Sequence, residues 1–574
     1  MSKYLFLFSI SPVQSFISQA RKTRDLFAGS ILLSNFVKEQ INFLKSKEPE
    51  VEVIFPNNVQ SKSLPNRFVV KISAESGRHI SELGRALQEN FQEILEKEFD
   101  KLSQKVAIGS NKDIYFKQVS NTFDTYWAAI ELKDNYKECY LTLEKIHAAA
   151  KNIKRFKQIK EQGRKCSLCG ERNAYFYGDK KVPVFIDENS AIKIHNSNNS
   201  NIMFTKKEAL CTVCAIKRFQ EVRFPSIAEI ALKGTIKEMD IQKIPYDAEL
   251  FYDENLTERF FEKNNISKER LQEIKKTRNE ILNARDLKSS QLPKYYALIM
   301  FDGDNMGKLL AGEYLRDKSK LEEFHKSLSE ALSENAENAK DIVDRCGKTV
   351  YAGGDDFLGF VSLKNLMPTL KELREEFKKT VNGKLSDMVN QEITMSAGIA
   401  IAHYKTPLKT VLDWARTMEK EAKEFGGRDA FAIAVLKHSG EIHKTVWKWF
   451  DEEKSNIERI EAILKKLIEK KEVILKKLIE KKFSANFIYT LEEEFSKLTY
   501  KENPFYAKQF EVELKRLIAK SLIFNENKDA EKKELYGLCK SFFVQMGEIK
   551  YKTDNYFALM RIIDFISRQL GGKI

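Results

Sequence analysis

The stretch Tyr351-Ala-Gly-Gly-Asp-Asp-Phe-Leu-Gly-Phe360 leaves its neighbourhood little conformational choice. Apolar runs flank Gly353-Gly354-Asp355-Asp356 on both sides. Two apolar strands around a glycine turn form a β-hairpin, and the tip of this one carries two carboxylates. The glycines permit positive φ and let a bulky anion approach the backbone. The carboxylates could hold a divalent cation, which usually keeps substrate phosphates among its other ligands. Gly and Asp also dominate ordinary turns, so the same residues read equally as a solvated loop tip. The flanking sequence separates the two readings.

Upstream, Tyr295–Phe301 reads as a strand and runs straight into Asp302-Gly303-Asp304-Asn305-Met306-Gly307. Helices follow over Leu309–Leu315 and Lys320–Cys346, then the hairpin over Thr349–Val361. A helix over Leu370–Val381, a strand over Ile393–Ala402, a helix over Leu408–Phe425 and a strand over Ala430–Val435 complete a ferredoxin-like unit. In such a sheet the strand ending in Asp302 is expected beside the strand leading into the hairpin, so that Asp302 and Asp355 converge at one edge. Carboxylates brought together from separate strands are what a two-metal phosphoryl-transfer site requires. One ion activates the attacking hydroxyl and the other neutralises the triphosphate and the departing pyrophosphate. Lys423 closes the helix before Gly426-Gly427-Arg428 and could meet a triphosphate as a point charge. A basic helix end before a glycine stop is also what the helix dipole favours.

The N-terminal part has a related order, which suggests a sheet with helices on one face. Tyr4–Ser9 reads as a strand, Val13–Phe27 and Ile31–Lys45 as helices broken at Gly29-Ser30, and Val51–Phe55 and Arg67–Ile72 as strands. Ser76–Lys101 follows as an amphipathic helix, with Ser30 and Ser76 as N-caps of their helices. Arg21 and Arg24, three apart on one helix face, could pair with phosphates or simply be solvated. Residues 102–160 read as polar helix.

Cys166-x-x-Cys169 and Cys211-x-x-Cys214 follow, separated by 41 residues that include the loop Asn196–Asn201. Each pair places two thiolates at a spacing one turn can close, and four complete a tetrahedral zinc shell with no open position. A redox dithiol is the rival reading, without a thioredoxin-like unit nearby to support it. Residues 219–290 and 440–574 read as helical. In the latter, Ile463–Lys471 recurs verbatim as Ile474–Lys482, a period of eleven that extends one apolar stripe. Lys465, Lys466, Lys476 and Lys477 on it could touch RNA or form a solvated face.

The formal net charge of +14, from 97 Lys and Arg against 83 Asp and Glu, is consistent with a nucleic-acid partner. No run of about 20 apolar residues exists to span a membrane. Scattered cysteines and an N-terminus without a cleavage site point to the cytoplasm.

Taken together, these residues resemble the large palm-domain subunit of type III CRISPR effector complexes, of the Cmr type. The resemblance rests on Ser11-Pro-Val-Gln14, Ala20-Arg-Lys-Thr-Arg-Asp25 with Gly29-Ser30, Lys165–Gly170, Phe301–Gly307, Ala352–Asp356, Ser396-Ala-Gly398 and His403-Tyr-Lys-Thr-Pro407, in that order. It implies an α+β chain of two facing palms: a degenerate first palm (1–135), a zinc-binding module (136–222), a helical linker (223–290), a catalytic second palm (291–440) and a C-terminal helical domain (441–574). It implies ATP as substrate, polymerised to cyclic oligoadenylates when target RNA is bound, with crRNA and other Cmr-type subunits as partners. Asp302, the Gly303 carbonyl, Asp355 and Asp356 would hold Mg2+ or Mn2+. Gly353, Gly354, Asp304, Asn305, Lys423, Arg21, Arg24 and Ser30 would meet nucleotide. Many relatives begin with an HD nuclease domain; this sequence starts at the first palm and contains no His-Asp dipeptide, so DNase activity of that kind is not expected. Relatives without that domain raise a second acceptor, S-adenosylmethionine, for the same AMP transfer. A silent RNA scaffold is the remaining alternative.

Overall fold

A computed structural model describes residues 1–108, 112–153, 163–178, 191–194, 207–264, 266–477, 506–521, 529–544 and 549–570, with 161, 204, 205 and 493. The Asn196–Asn201 loop, the end of the second nine-residue copy, and the side chains of Lys476 and Lys477 lie outside the described residues.

The first palm comprises β1 (Ser2–Ser11), α1 (Gln14–Ser18), α2 (Thr23–Lys47), β2 (Glu52–Phe55), β3 (Arg67–Ala74), α3 (Gly77–Lys105), α4 (Lys112–Ser120), β4 (Asp124–Glu131) and α5 (Tyr136–Asn152). Its antiparallel sheet has the order β2-β3-β1-β4. Alternation along β1 divides the core in two. Phe6 and Phe8 join the α2 and α3 side, while Leu5 and Leu7 join Tyr140 and Leu143 of α5. The expected one-faced sheet is therefore covered on both faces.

Two further expectations change here. The stretch 102–160 holds β4, which pairs with β1 from Ser11↔Asp124 to Tyr4↔Glu131. Its Thr-Tyr-Trp run suits an edge strand, but most of it is only half-buried, so its apolar signal is weak. Helix α2 runs unbroken through Gly29 and Ser30, and Ser30 is buried mid-helix rather than capping. One buried stripe, Leu26, Ser30, Leu33, Val37, Ile41 and Leu44, passes through it. That packing outweighs the roughly 1 kcal/mol propensity cost of one helical glycine. The break falls earlier, where the Asp25 carboxylate accepts the backbone N–H groups of Arg21 and Lys22. Ser76 caps α3 as expected, accepting from the His79 N–H.

The cysteine module holds β5 (Phe176–Tyr177), β6 (Ile192–Lys193), β7 (Ala209–Leu210) and α6 (Thr212–Arg218). A linker of short helices follows: α7 (Ile227–Leu232), α8 (Glu238–Ile241), α9 (Glu258–Lys263) and α10 (Arg270–Asn283).

The second palm contains β8 (Tyr295–Gly303), α11 (Met306–Leu310), α12 (Leu321–Cys346), β9 (Gly347–Gly353), β10 (Asp356–Ser362), α13 (Leu366–Phe377), α14 (Gly383–Leu385), β11 (Met395–His403), α15 (Leu408–Glu424), β12 (Ala430–Leu436) and β13 (Ile442–Lys448). The sheet order is β13-β12-β11-β8-β10-β9. The neighbour of β8 is thus β10, the strand leaving the hairpin, and β9, which leads into it, takes the outer edge. Strand β13 also carries the sheet past residue 440, where only helix was expected. Its pattern alternates buried and exposed residues, and β12 beside it is buried throughout.

A small hairpin, β14 (Phe450–Asp451) and β15 (Lys454–Ser455), leads to α16 (Asn456–Lys477), α17 (Tyr506–Ser521), α18 (Asp529–Val544) and α19 (Ile549–Leu570). Ile457, Ile460, Phe510, Phe542 and Tyr556 from these helices share one core with Trp447, Trp449 and Phe431 of the palm.

Helix α15 lies directly on β11. A Cβ on Gly398 would stand 2.2 Å from both the Ala415 carbonyl oxygen and the Glu419 nitrogen. Gly398→Ala must push α15 off the sheet. The expected loss is about 1–3 kcal/mol of second-palm stability, read from a denaturant midpoint.

Candidate active site

The hairpin turn has two residues between β9 and β10, Gly354 and Asp355, closed by the pair Gly353↔Asp356. Gly354 has φ +70° and Asp355 is not left-handed, the pattern of a type II′ turn. Across β10, the register Phe357↔Phe301 brings Asp356 level with Asp302 at the end of β8. The approach is close at Gly303 as well: a Cβ there would stand 3.1 Å from the Asp355 Cβ. Asp302, Gly303, Asp355 and Asp356 therefore meet at one sheet end.

Their carboxyls feel one another. Burial first, then the Asp302 charge, pushes Asp355 up to about 6, while Arg67 of the first palm pulls it back. Asp356 opens to solvent but is ringed by protein atoms. That crowding, followed by the charges of Asp302 and Asp355, raises it further. Crowded like charges of this kind are what a bound cation relieves. Among the described residues, though, the only group of ligating side chains all within 4.8 Å of one another is the cysteine cluster. The aspartates are looser, with Asp302 adjoining each of the other two.

Lys423, from the last turn of α15, bonds Asp302 directly and Glu419 at 2.6 Å. Burial alone would lower its ammonium, but Asp302 and Glu419 hold it well above the ordinary range. Asp302, Asp355, Asp356 and Lys423 thus gather as the sequence suggests.

Two other expected nucleotide contacts, Asp304 and Arg24, are engaged by the protein itself. Asp304 is 2% exposed. Its oxygens accept from Ser396 Oγ at 2.7 Å, Thr394 Oγ1 at 2.7 Å and the Asp429 N–H at 2.9 Å. It pins β8 to β11 and to the loop after α15, so it positions Asp302 instead of meeting ligand. Asn305 takes a left-handed conformation, φ 57°, at the start of α11. Arg24 donates to the Gln220 carbonyl at 2.7 Å and so packs on the cysteine module. Arg21 precedes α2 and is exposed, so the two arginines do not share a helix face.

The first palm roofs the site. Phe55 lies 3.8 Å from where a Gly354 Cβ would be, and Ser63 Oγ accepts the Ala352 N–H at 3.2 Å. Helix α12 holds the palms together. Ser329 Oγ accepts the Asn57 N–H at 2.8 Å, Tyr136 Oη meets His325 Nδ1 at 3.0 Å, and Lys71, Glu52, Glu322 and Lys326 form an ion-pair network. Arg67, whose charge acts on Asp355 from the first palm, is not among the residues the sequence singles out. A single arginine opening a strand carries no motif, and only the facing of the palms gives it a partner.

The four thiols of Cys166, Cys169, Cys211 and Cys214 lie within 4.8 Å of one another, with the Cys169 and Cys211 sulfurs 3.8 Å apart. Thiolates at about 2.3 Å from a tetrahedral ion are separated by about that distance, so the cluster can hold a metal. Just past Cys214, Arg218 is buried between Asp25 of α2, at 2.5 and 2.9 Å, and Glu208, at 2.9 and 3.1 Å. Lys217 donates to the carbonyls of Phe16 and Gln19 at 2.7 and 2.8 Å. The module therefore clamps the α1–α2 turn.

Comparison with known proteins follows the same division. Residues 5–107 match the family described as CRISPR-associated protein Cmr2, N-terminal. Residues 295–432 match Cas10/Cmr2, second palm domain. The CRISPR system Cmr subunit Cmr2 of Pyrococcus furiosus is 25% identical over 568 residues, covering 78% of this chain and 63% of that protein. The chain thus spans under two thirds of that relative's length. The Cmr2 subunit of Saccharolobus solfataricus is 26% identical over 117 residues, 18% of this chain and 11% of that one. Among solved structures, the apo Type III-B Cmr-beta structure aligns with TM-score 0.61 at 16% identity, covering 100% of this chain and 82% of that chain. The Cmr-beta structure bound to cognate target RNA aligns with the same score and identity and 83% coverage of its chain. At that identity these two share the fold. No helix among the described residues is long and apolar enough to cross a membrane.

Proposed function

We propose that the chain, which matches the Cmr2 N-terminal and the Cas10/Cmr2 second-palm families in that order, is the RNA-activated nucleotidyltransferase subunit of a type III CRISPR effector. ATP is the substrate and a cyclic oligoadenylate the product. The observation that carries this reading is the meeting of Asp302, Gly303, Asp355 and Asp356 beside Lys423, under the wall of the first palm.

In the reaction, an acceptor hydroxyl oxygen bonds to the α-phosphorus of ATP. The bond from that phosphorus to the bridging oxygen breaks, pyrophosphate leaves, and the hydroxyl proton passes to water. Asp302, the Gly303 carbonyl and Asp355 would hold magnesium or manganese, with Asp356 in support. Such an ion, when bound, neutralises phosphate charge and makes the attacking hydroxyl a better nucleophile. Asp304 keeps Asp302 in register, and Lys423 presents a fixed positive charge to the triphosphate. The Ser63 and Phe55 contacts keep the turn from drifting, which preserves the near-attack geometry on which positioning depends. The four cysteines suit a structural zinc ion, remote from the chemistry.

The test uses the assembled ribonucleoprotein complex with crRNA, cognate target RNA, ATP, and magnesium or manganese. Mass spectrometry, with and without S-adenosylmethionine, should find a small adenylate that depends on target RNA. A complex that leaves ATP untouched with every metal and RNA supplied would make the palm a scaffold and overturn the proposal.

A further inference from the structure

The two palm sheets repeat one local pattern. In the first, Phe8 of β1 pairs with Phe68 of β3, their rings stacked with centroids 5.2 Å apart. In the second, Phe301 of β8 pairs with Phe357 of β10, stacked at 4.8 Å. Matching these pairs by register, the next position outward is Ser9 in place of Asp302 and Arg67 in place of Asp356. The first palm puts a guanidinium where the second puts a carboxylate.

We propose that Arg67 is a phosphate-binding residue of the cleft, contributed by the first palm to the triphosphate of a nucleotide held against Asp355. The proposal rests on the nucleotidyltransferase reading above and adds to it a specific partner across the cleft.

Three observations carry it. The segment that leads into β3 at Arg67 lies against the aspartate hairpin of the other palm, with Phe55 3.8 Å from where a Gly354 Cβ would be and Ser63 Oγ accepting the Ala352 N–H at 3.2 Å, and the Arg67 charge acts on Asp355 across that contact. The guanidinium is held in one orientation: its Nη1 donates to both Glu144 oxygens, at 3.0 and 3.2 Å, and Tyr140 Oη donates to the same carboxylate at 2.8 Å. The side chain is 28% exposed, so the guanidinium is reachable from solvent on one side of its pair with Glu144. An oriented guanidinium with an open edge suits a tetrahedral oxyanion.

The equivalent of Asp302 points the same way. Ser9 Oγ is buried and bonded to His147 Nε2 at 2.8 Å, so this wall presents no carboxylate at either matched position. The cleft is therefore electrically asymmetric. One wall gathers aspartates, and the facing wall offers an arginine. A polyphosphate carrying its own divalent cation fits between them, with the cation toward the aspartates and free oxygens toward Arg67.

The experiment measures equilibrium binding of ATP, inorganic tripolyphosphate and adenosine to the assembled complex, alongside turnover and the thermal midpoint without ligand. It compares wild type with Arg67→Ala and Arg67→Lys. Loss of one charged hydrogen-bonding partner should weaken ATP and tripolyphosphate about 10- to 100-fold in Arg67→Ala. Adenosine binding and the ligand-free midpoint should be unchanged, and Arg67→Lys should recover part of the loss. Unchanged tripolyphosphate affinity in Arg67→Ala, with wild type active, would overturn the inference alone. A lowered ligand-free midpoint with equal losses for all three probes would make Arg67 a structural strut and also overturn it. A wild-type complex that neither binds nor turns over ATP would overturn the nucleotidyltransferase reading and this inference together.

Discussion

On the proposed function, Asp302→Ala and Asp355→Ala should each abolish adenylate production, by about 10³-fold or more, while the second palm stays folded. The magnitude follows from several kcal/mol of charge stabilisation lost when a metal-holding carboxylate is removed, at about tenfold per 1.4 kcal/mol. The folded state survives because neither carboxylate holds the sheet together. The strands are joined by backbone pairing, and Asp304 makes the local hydrogen bonds. Removing a crowded charge should even help the metal-free protein. Asp355 and Asp356 are raised in the folded state, so this crowding is absent at pH below about 4 and grows as the pH rises through about 6 and beyond. In buffer without magnesium or manganese at pH 8, Asp356→Asn should therefore raise the second-palm thermal midpoint, on the order of 2 °C. Product yield by chromatography and a parallel thermal melt read both halves. A variant that loses activity together with its melting transition would assign these aspartates to the fold instead.

Arg218→Ala should collapse the α1–α2 end of the first palm, and so should loss of a metal held by the cysteine cluster. Arg218 is 1% exposed and its partners Asp25 and Glu208 are 0% and 2%. Truncating it strands two buried carboxylates, which costs about 3–5 kcal/mol. Cys166→Ser or a strong chelator acts on the same clamp from the other side, because a metal bound only in the folded state contributes its binding free energy to folding. Both should lower the first-palm melting transition by about 10 °C. Hydrogen exchange should rise across residues 14–30. Helix α13 and the β11–β12 pair, in the second palm, should keep their protection. Equal loosening of both palms would mean that the clamp serves the whole molecule.

The legible part of the site was the part governed by local rules. The Gly354 turn needs positive φ, and a Gly-Gly-Asp-Asp tip between apolar runs announces it. The end of β8 is marked by an apolar run stopping at Asp302. The CxxC spacing states its own chemistry, since two thiolates one turn apart suit a tetrahedral ion wherever the chain carries them. The misread elements have equally physical causes. Strand β4 is a half-buried edge, so its alternation is faint. Ser30 looks like a cap only until the buried stripe through α2 is recognised as continuous. Asp304 sits in the same short motif as Asp302, and nothing in the motif says that one turns to the cleft and the other to β11.

By itself, then, the sequence determined the hairpin, its two carboxylates, their distant partner Asp302 and the four-cysteine module, because turn chemistry, strand period and ligand spacing act over a few residues. Only the tertiary structure decided that β10 and not β9 lies against β8, that Asp304 is a strut, that Arg24 belongs to the cysteine module, and that Arg67 stands across from Asp355. Those outcomes depend on strand order and on the docking of two palms through α12. They are fixed by contacts between residues far apart in the chain, which no local pattern encodes.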